Sequence, residues 1–250
     1  MRFRSEGHEA KAKLTFSWLK KLWKWAYNED LVPGPVMDKV NIEFEVGERT
    51  RVYSDDEIKA IWQAAARLNP IEGAYIKLLI LLAPRKTALA KMQLSHLDYT
   101  KEPPLWTTPH ELTKSKKTAK RKRDYLTPLP PLAERILKPI LPKDGAEAWI
   151  FPGAHKGVPI WPGSPLQRKL VKAGAPADVA FHTVRHTIAT WLQTKGHSEH
   201  EVALVLNHAK GGVTAGYSHG YPLDLKLVLL TEWADHVEHL VMPKGVKALR

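Results

Sequence analysis

The stretch Phe181-His182-Thr183-Val184-Arg185-His186-Thr187-Ile188-Ala189-Thr190-Trp191-Leu192 decides the reading of this chain. Its apolar residues recur at helical spacing, which predicts a helix carrying an imidazole and a guanidinium three positions apart, on one face of its first turns. Working outward, His208 closes Val205-Leu206-Asn207-His208, and Tyr217 lies nine positions beyond it. Far upstream, Arg85 follows the apolar run Leu78 to Ala83. Two guanidinium groups, two imidazoles and one phenol are what a protein needs to attack a phosphodiester with a tyrosine.

The chemistry follows from the side chains. A phenol of pKa about 10 is a poor nucleophile at neutral pH and must lose its proton as it attacks. Cations beside the phosphate help by lowering that pKa and by offsetting transition-state charge. Arg85 and Arg185 suit this role, because a guanidinium stays charged and can hold two phosphate oxygens at once. His182 and His208 can donate hydrogen bonds to the other oxygens, and His182 can also move the tyrosine proton. The leaving 5′-hydroxyl needs a proton, for which a hairpin lysine is the natural donor.

These residues carry a resemblance. In their order they are similar to the signature of the tyrosine recombinases of the phage-integrase type: Arg, Lys, His-x-x-Arg, His or Trp, and Tyr. The segment from Leu81 through Arg85 to Asp98 resembles the family's first arginine box, and His182 to Arg185 its His-x-x-Arg box. Leu206-Asn207-His208 and Tyr217 resemble the later boxes, and the likeness runs over residues 10 to 240. It implies Arg85, Lys114, His182, Arg185, His208 and Tyr217 as catalytic residues, with Lys117 and Lys120 as rivals for the lysine and Tyr221 as a competing nucleophile. The chain departs from the pattern at Ala88, where an acid is usual, and at Thr183, where Asp is common.

The resemblance further implies a site-specific DNA recombinase that forms a 3′-phosphotyrosyl intermediate, for integration or excision of a mobile element, with neither metal nor other cofactor. Its partner would be double-stranded DNA at attachment sites, bound by a homotetramer that is monomeric without DNA. Two other readings are a type IB topoisomerase and a non-catalytic DNA-binding remnant. The His182 and His186 pair lacks the glutamate of a zinc-protease helix, so the sequence suggests no metal site.

Composition agrees with a nucleic-acid partner. Lys and Arg number 38 against 26 Asp and Glu, a formal charge of +12, which draws a protein toward polyanions. Lys114, Lys116, Lys117, Lys120, Arg121, Lys122 and Arg123 fall within ten residues without an acid among them. Apart from the candidate catalytic Lys114, these are the expected DNA-backbone contacts. Strand candidates Trp106 to Leu112 and Tyr125 to Leu129 flank the run, which would make it a hairpin tip. With no cysteine, the chain offers neither disulfides nor thiolate metal sites. It shows neither a signal peptide nor an apolar stretch long enough for a bilayer, and a cytoplasmic, nucleoid-associated setting fits.

The expected fold is mainly α with a small antiparallel β-sheet (α+β), a DNA breaking-rejoining catalytic fold. Lys11 to Tyr27 has Leu14, Trp18, Leu22 and Trp25 at helical spacing and resembles a late helix of the family's smaller core-binding domain. Residues 1–48 are therefore read as a shortened core-binding domain plus linker, and 49–250 as the catalytic domain. Ser54-Asp55-Asp56-Glu57 is a capping box. Helices are expected over Gly73 to Leu82, Ala88 to Leu94, Pro131 to Leu141 and Pro165 to Ala173, and a last one beyond Pro222 has a core-like face around Trp233. Such a terminal helix is also a candidate assembly element.

Overall fold

The computed structural model describes residues 9–44, 51–112, 124–143, 145, 148–207 and 222–242. The chain divides into two units, Met1–Thr50 and Arg51–Arg250. In the first, helix α1 (Glu9–Asn28) stops at Asp30, whose φ of 55° is left-handed. Trp23 Nε1 donates to the carbonyl of Gly34 at 2.9 Å, tying the helix to the turn that follows it. No residue of α1 is buried, and Leu14, Trp18, Leu22 and Trp25 are exposed.

The second unit is helical around one small sheet. Helix α2 (Asp55–Ala66) begins with a reciprocal cap: Glu57 N donates to Ser54 Oγ, and Ser54 N to Glu57 Oε2. Two of the four unpaired N–H groups of a helix start are thereby satisfied. Helix α3 (Pro70–Leu82) starts with Asn69 as cap and Pro70 in its first turn, earlier than the expected Gly73. Its nine buried residues run from Gly73 to Leu82 around the whole cylinder. A helix apolar on all sides is an interior helix.

Helix α4 (Lys86–Ala90) is shorter than expected and begins two residues sooner, because Arg85 is its extended cap residue and Gln93 is already extended. Strands β1 (Leu97–Asp98), β2 (Leu105–Thr108) and β3 (Tyr125–Pro128) form an antiparallel sheet in that order, with Leu97 opposite Trp106 and Trp106 opposite Thr127. The first strand candidate ended too late: Pro109 has no N–H for the ladder, and residues His110–Leu112 turn as 3₁₀ instead. The β2–β3 pairing is that of a hairpin, while the basic run between the strands, residues 114–123, lies outside the described residues.

Helix α5 (Pro131–Leu137) gives way to a 3₁₀ turn over Lys138–Ile140, where Pro139 cannot continue the ladder. Next come α6 (Ser164–Lys172), α7 (Phe181–Thr194), α8 (Glu199–Val205) and α9 (Leu223–Val241). Helix α9 packs against α2, α3, α5, α7, α8 and β3, and so runs through the middle of the unit. Its Leu229, Leu230, Trp233 and Val237 are buried, and Trp233 Nε1 donates to Ile80 O of α3 at 2.8 Å. The described residues contain no helix long and apolar enough to cross a membrane.

Candidate active site

Helix α7 carries the centre of the site, and its beginning is fixed from outside. Its cap residue Ala180 supplies no side-chain cap. Tyr53, just ahead of α2, supplies the missing partner: its hydroxyl accepts from Ala180 N at 2.7 Å and donates to Ala180 O at 3.2 Å. Tyr53 N donates to Thr187 Oγ1 at 2.9 Å, and that hydroxyl donates back to Thr183 O. Arg51 adds an outer clasp, pairing with Glu57 and, at 3.0 Å, with Asp178 in the loop before α7.

With α7 so placed, Arg185 turns inward. It is 5% exposed, and its two terminal nitrogens donate to backbone carbonyls, one to Ala83 O and the other at 2.7 Å to Leu206 O. Ala83 ends α3 with φ 47° and ψ 37°, the left-handed region that an alanine seldom occupies. Its carbonyl is thereby aimed at the guanidinium, and the chain leaves toward Arg85. Leu206 immediately precedes Asn207, also left-handed at φ 52°. One buried guanidinium thus fixes the chain on either side of it, two residues before Arg85 and two before His208.

The electrostatics follow from this burial. Desolvation first, and then the like charge of Arg85, bring the Arg185 pKa down to about 10. Arg85 is half-buried, while His182 and His186 are exposed on α7, with ring centroids 4.7 Å apart in an edge-to-face pair. Like charges held close in a partly dry site repel one another, and an anion placed between them would relieve that repulsion. Two of the Arg185 donors are taken by the protein's own carbonyls, at Ala83 and Leu206. At Ala88, where an acid is usual in the resemblance, the side chain is buried.

The structure therefore brings Arg85 close to Arg185, and His182 stands three residues before Arg185 on α7. Lys114, Lys116, Lys117, Lys120, Arg121, Lys122, Arg123, His208, Tyr217 and Tyr221 lie outside the described residues. Two supporting residues escaped the sequence reading, Tyr53 and Lys226. Lys226 had a signal: with Leu229, Leu230, Trp233 and Val237 it stands on the apolar stripe of α9, where a surface lysine has no place.

Comparison with known proteins gives the class first. The fold is similar to that of the integrase from mycobacterium phage Brujita, with a TM-score of 0.58 at 15% identity, over 91% of this chain and 76% of that one. It is also similar to a lambda integrase in a dimer bound to a COC′ core site, with a TM-score of 0.57 at 18% identity, over 84% and 76% of the two chains. The phage integrase family model matches residues 51–223, more than half of the sequence, and the chain belongs to that family. Prophage integrase IntF of Escherichia coli K12 is 24% identical over 241 residues, which cover 90% of this chain and 48% of the relative. The chain thus spans about half the length of the curated relative it matches.

Proposed function

We propose that this chain is a site-specific DNA recombinase that cuts and rejoins strands through a 3′-phosphotyrosyl link, for integration or excision of a mobile element. The carrying observation is the meeting of Arg85 and Arg185 at the start of α7, close enough for one charge to be felt by the other, with His182 on the same helix. Membership of the phage integrase family gives that cluster its reaction.

In this reading the Tyr217 oxygen bonds to phosphorus and the P–O5′ bond breaks. The tyrosine proton passes to His182, and Lys114 protonates the departing 5′ oxygen, with Lys117 and Lys120 as rivals. Arg85, Arg185 and His208 hold the phosphate oxygens, so charge neutralisation comes from side chains and the reaction requires no metal. Lys116, Lys117, Lys120, Arg121, Lys122 and Arg123 lie along the DNA backbone. Residues 1–48 contribute a core-binding helix and linker, 49–250 the catalytic domain, and four copies assemble on an attachment site in the cytoplasm. The DNA-bound state of the similar lambda integrase supports the choice of partner.

Covalent trapping tests this. The protein is incubated with nicked duplexes tiled across the DNA flanking its gene, denatured in detergent, and resolved for a DNA-linked band. A band in the wild type that is lost in Tyr217→Phe is expected. Salt-sensitive binding with no band from any duplex would leave a non-catalytic DNA-binding protein, and relaxation of plasmid without a preferred site would point to a topoisomerase.

A further inference from the structure

Lys226, in the first turns of α9, is fully buried, and its ammonium reaches three acceptors on two other segments. Nζ donates to Leu126 O at 2.8 Å and Thr127 Oγ1 at 3.1 Å, both on β3, and to Asn207 Oδ1 at 2.8 Å. An ammonium has three donors, and all three of these acceptors are neutral. A buried charge is costly to keep, since leucine or methionine would fill the space without desolvation. Its position makes the cost intelligible. Strand β3 is the return strand of the basic hairpin, Asn207 directly precedes His208, and α9 follows the segment that holds Tyr217.

The connection continues to the arginines. Asn207 is bonded through the peptide to Leu206, whose carbonyl accepts from Arg185, and Arg185 in turn holds Ala83 ahead of Arg85. Resting on the recombinase reading above, we infer that Lys226 is a positioning residue, which sets the lysine hairpin, the His208 segment and the start of α9 in register with the Arg185 site. It touches no reacting atom. Its effect is on the geometry in which the general acid and the nucleophile meet the phosphate.

The ammonium is also sensitive to its surroundings. Burial first, and then the Arg185 charge, lower the Lys226 pKa to about 7. Among the described residues, ionisable groups of α9 also pair with its neighbours further along: Glu232 with His197, His236 with Asp55 and Glu238 with Arg135. Loss of the proton would turn one of three donors into a lone pair facing an oxygen, so the three-way junction belongs to the protonated form.

The test uses the full chain and a nicked duplex that traps the adduct, comparing wild type with Lys226→Met in duplex affinity and in single-turnover adduct rate from pH 6 to 9. Lys226→Met should bind the duplex as the wild type does, yet form adduct about a hundredfold more slowly, the scale of an ångström-level misplacement. The wild-type rate should show a falling limb above about pH 7, and the variant should lack it. Thr127→Val and Asn207→Gly each remove one acceptor, and should slow the adduct in the same direction even if Lys226→Met does not fold. A wild-type rate and pH profile in Lys226→Met, or in both acceptor variants should it not fold, would overturn the assignment. Equal loss of binding and rate would reduce the lysine to a folding residue and overturn it too. Absence of adduct from the wild type would instead bring down the recombinase reading, and this inference with it.

Discussion

Arg185 on α7 donates to the carbonyl of Ala83, the left-handed residue that ends α3 two positions before Arg85. The arginine of one box therefore shapes the backbone that presents the arginine of the other. Arg185→Lys keeps a charge but not the fork that reaches both Ala83 and Leu206. It should lower unfolding stability by about 2–3 kcal/mol, the scale of lost hydrogen bonds to a charged group in a buried site. Urea titration measures that loss, and adduct formation should fall with it by at least about a hundredfold. An unchanged midpoint would mean that the two carbonyls are satisfied without the guanidinium.

Tyr53→Phe removes only a hydroxyl, the one bonded to both Ala180 N and Ala180 O. A loss of about 1–2 kcal/mol is expected by thermal or urea unfolding. Because the contact sits at the start of α7, the adduct rate should drop more than duplex affinity does. Equal drops would assign Tyr53 to folding alone.

Arg51 holds the Glu57 carboxylate down to a pKa of about 2 from its usual 4.5, chiefly by hydrogen bonding, and lowers that of Asp178 as well. For a depressed carboxylate the unfolded chain binds more protons in the window between the two values, so stability rises with pH there. The contribution is complete above about pH 4.5 and is lost as pH falls toward 2. Melting temperatures of wild type and Arg51→Met should therefore converge as the pH is lowered through that window. The groups are partly exposed, so added salt should narrow the gap at neutral pH.

Trp233 is 1% exposed and bonded to Ile80 O. Trp233→Ala should cost about 3–5 kcal/mol through the cavity it leaves. Trp233→Phe should cost less, and mainly through the orphaned Ile80 carbonyl. The measurement is denaturant unfolding, and a loss under about 1 kcal/mol for the alanine variant would show that α9 is not the core helix it appears from its packing.

What could be read in the sequence was local. The Ser54 and Glu57 cap is written in four consecutive residues, and the helix over residues 181–194 in its own periodicity. Where the outcome depends on a distant partner, sequence was silent. Leu97–Asp98 is a strand only because Trp106 and Leu105 lie opposite, and two residues carry no alternation to detect. Arg185 was recognisable by its box, but not its commitment to Ala83 and Leu206, which are 102 and 21 residues away. Tyr53 reads as a tyrosine before a helix, and nothing local shows that it caps one 127 residues later.

The cap at Pro222 also limits how far a nucleophile at Tyr217, as proposed, could reach. Tyr217 stands five residues ahead of it, and a fully extended chain gains at most about 3.6 Å per residue, or roughly 18 Å. In the proposed reaction a phenol tied within that reach of a helix packed into its own subunit would meet the DNA as if at high local concentration. For a second copy to use a tyrosine at that position, it would have to approach within the same distance.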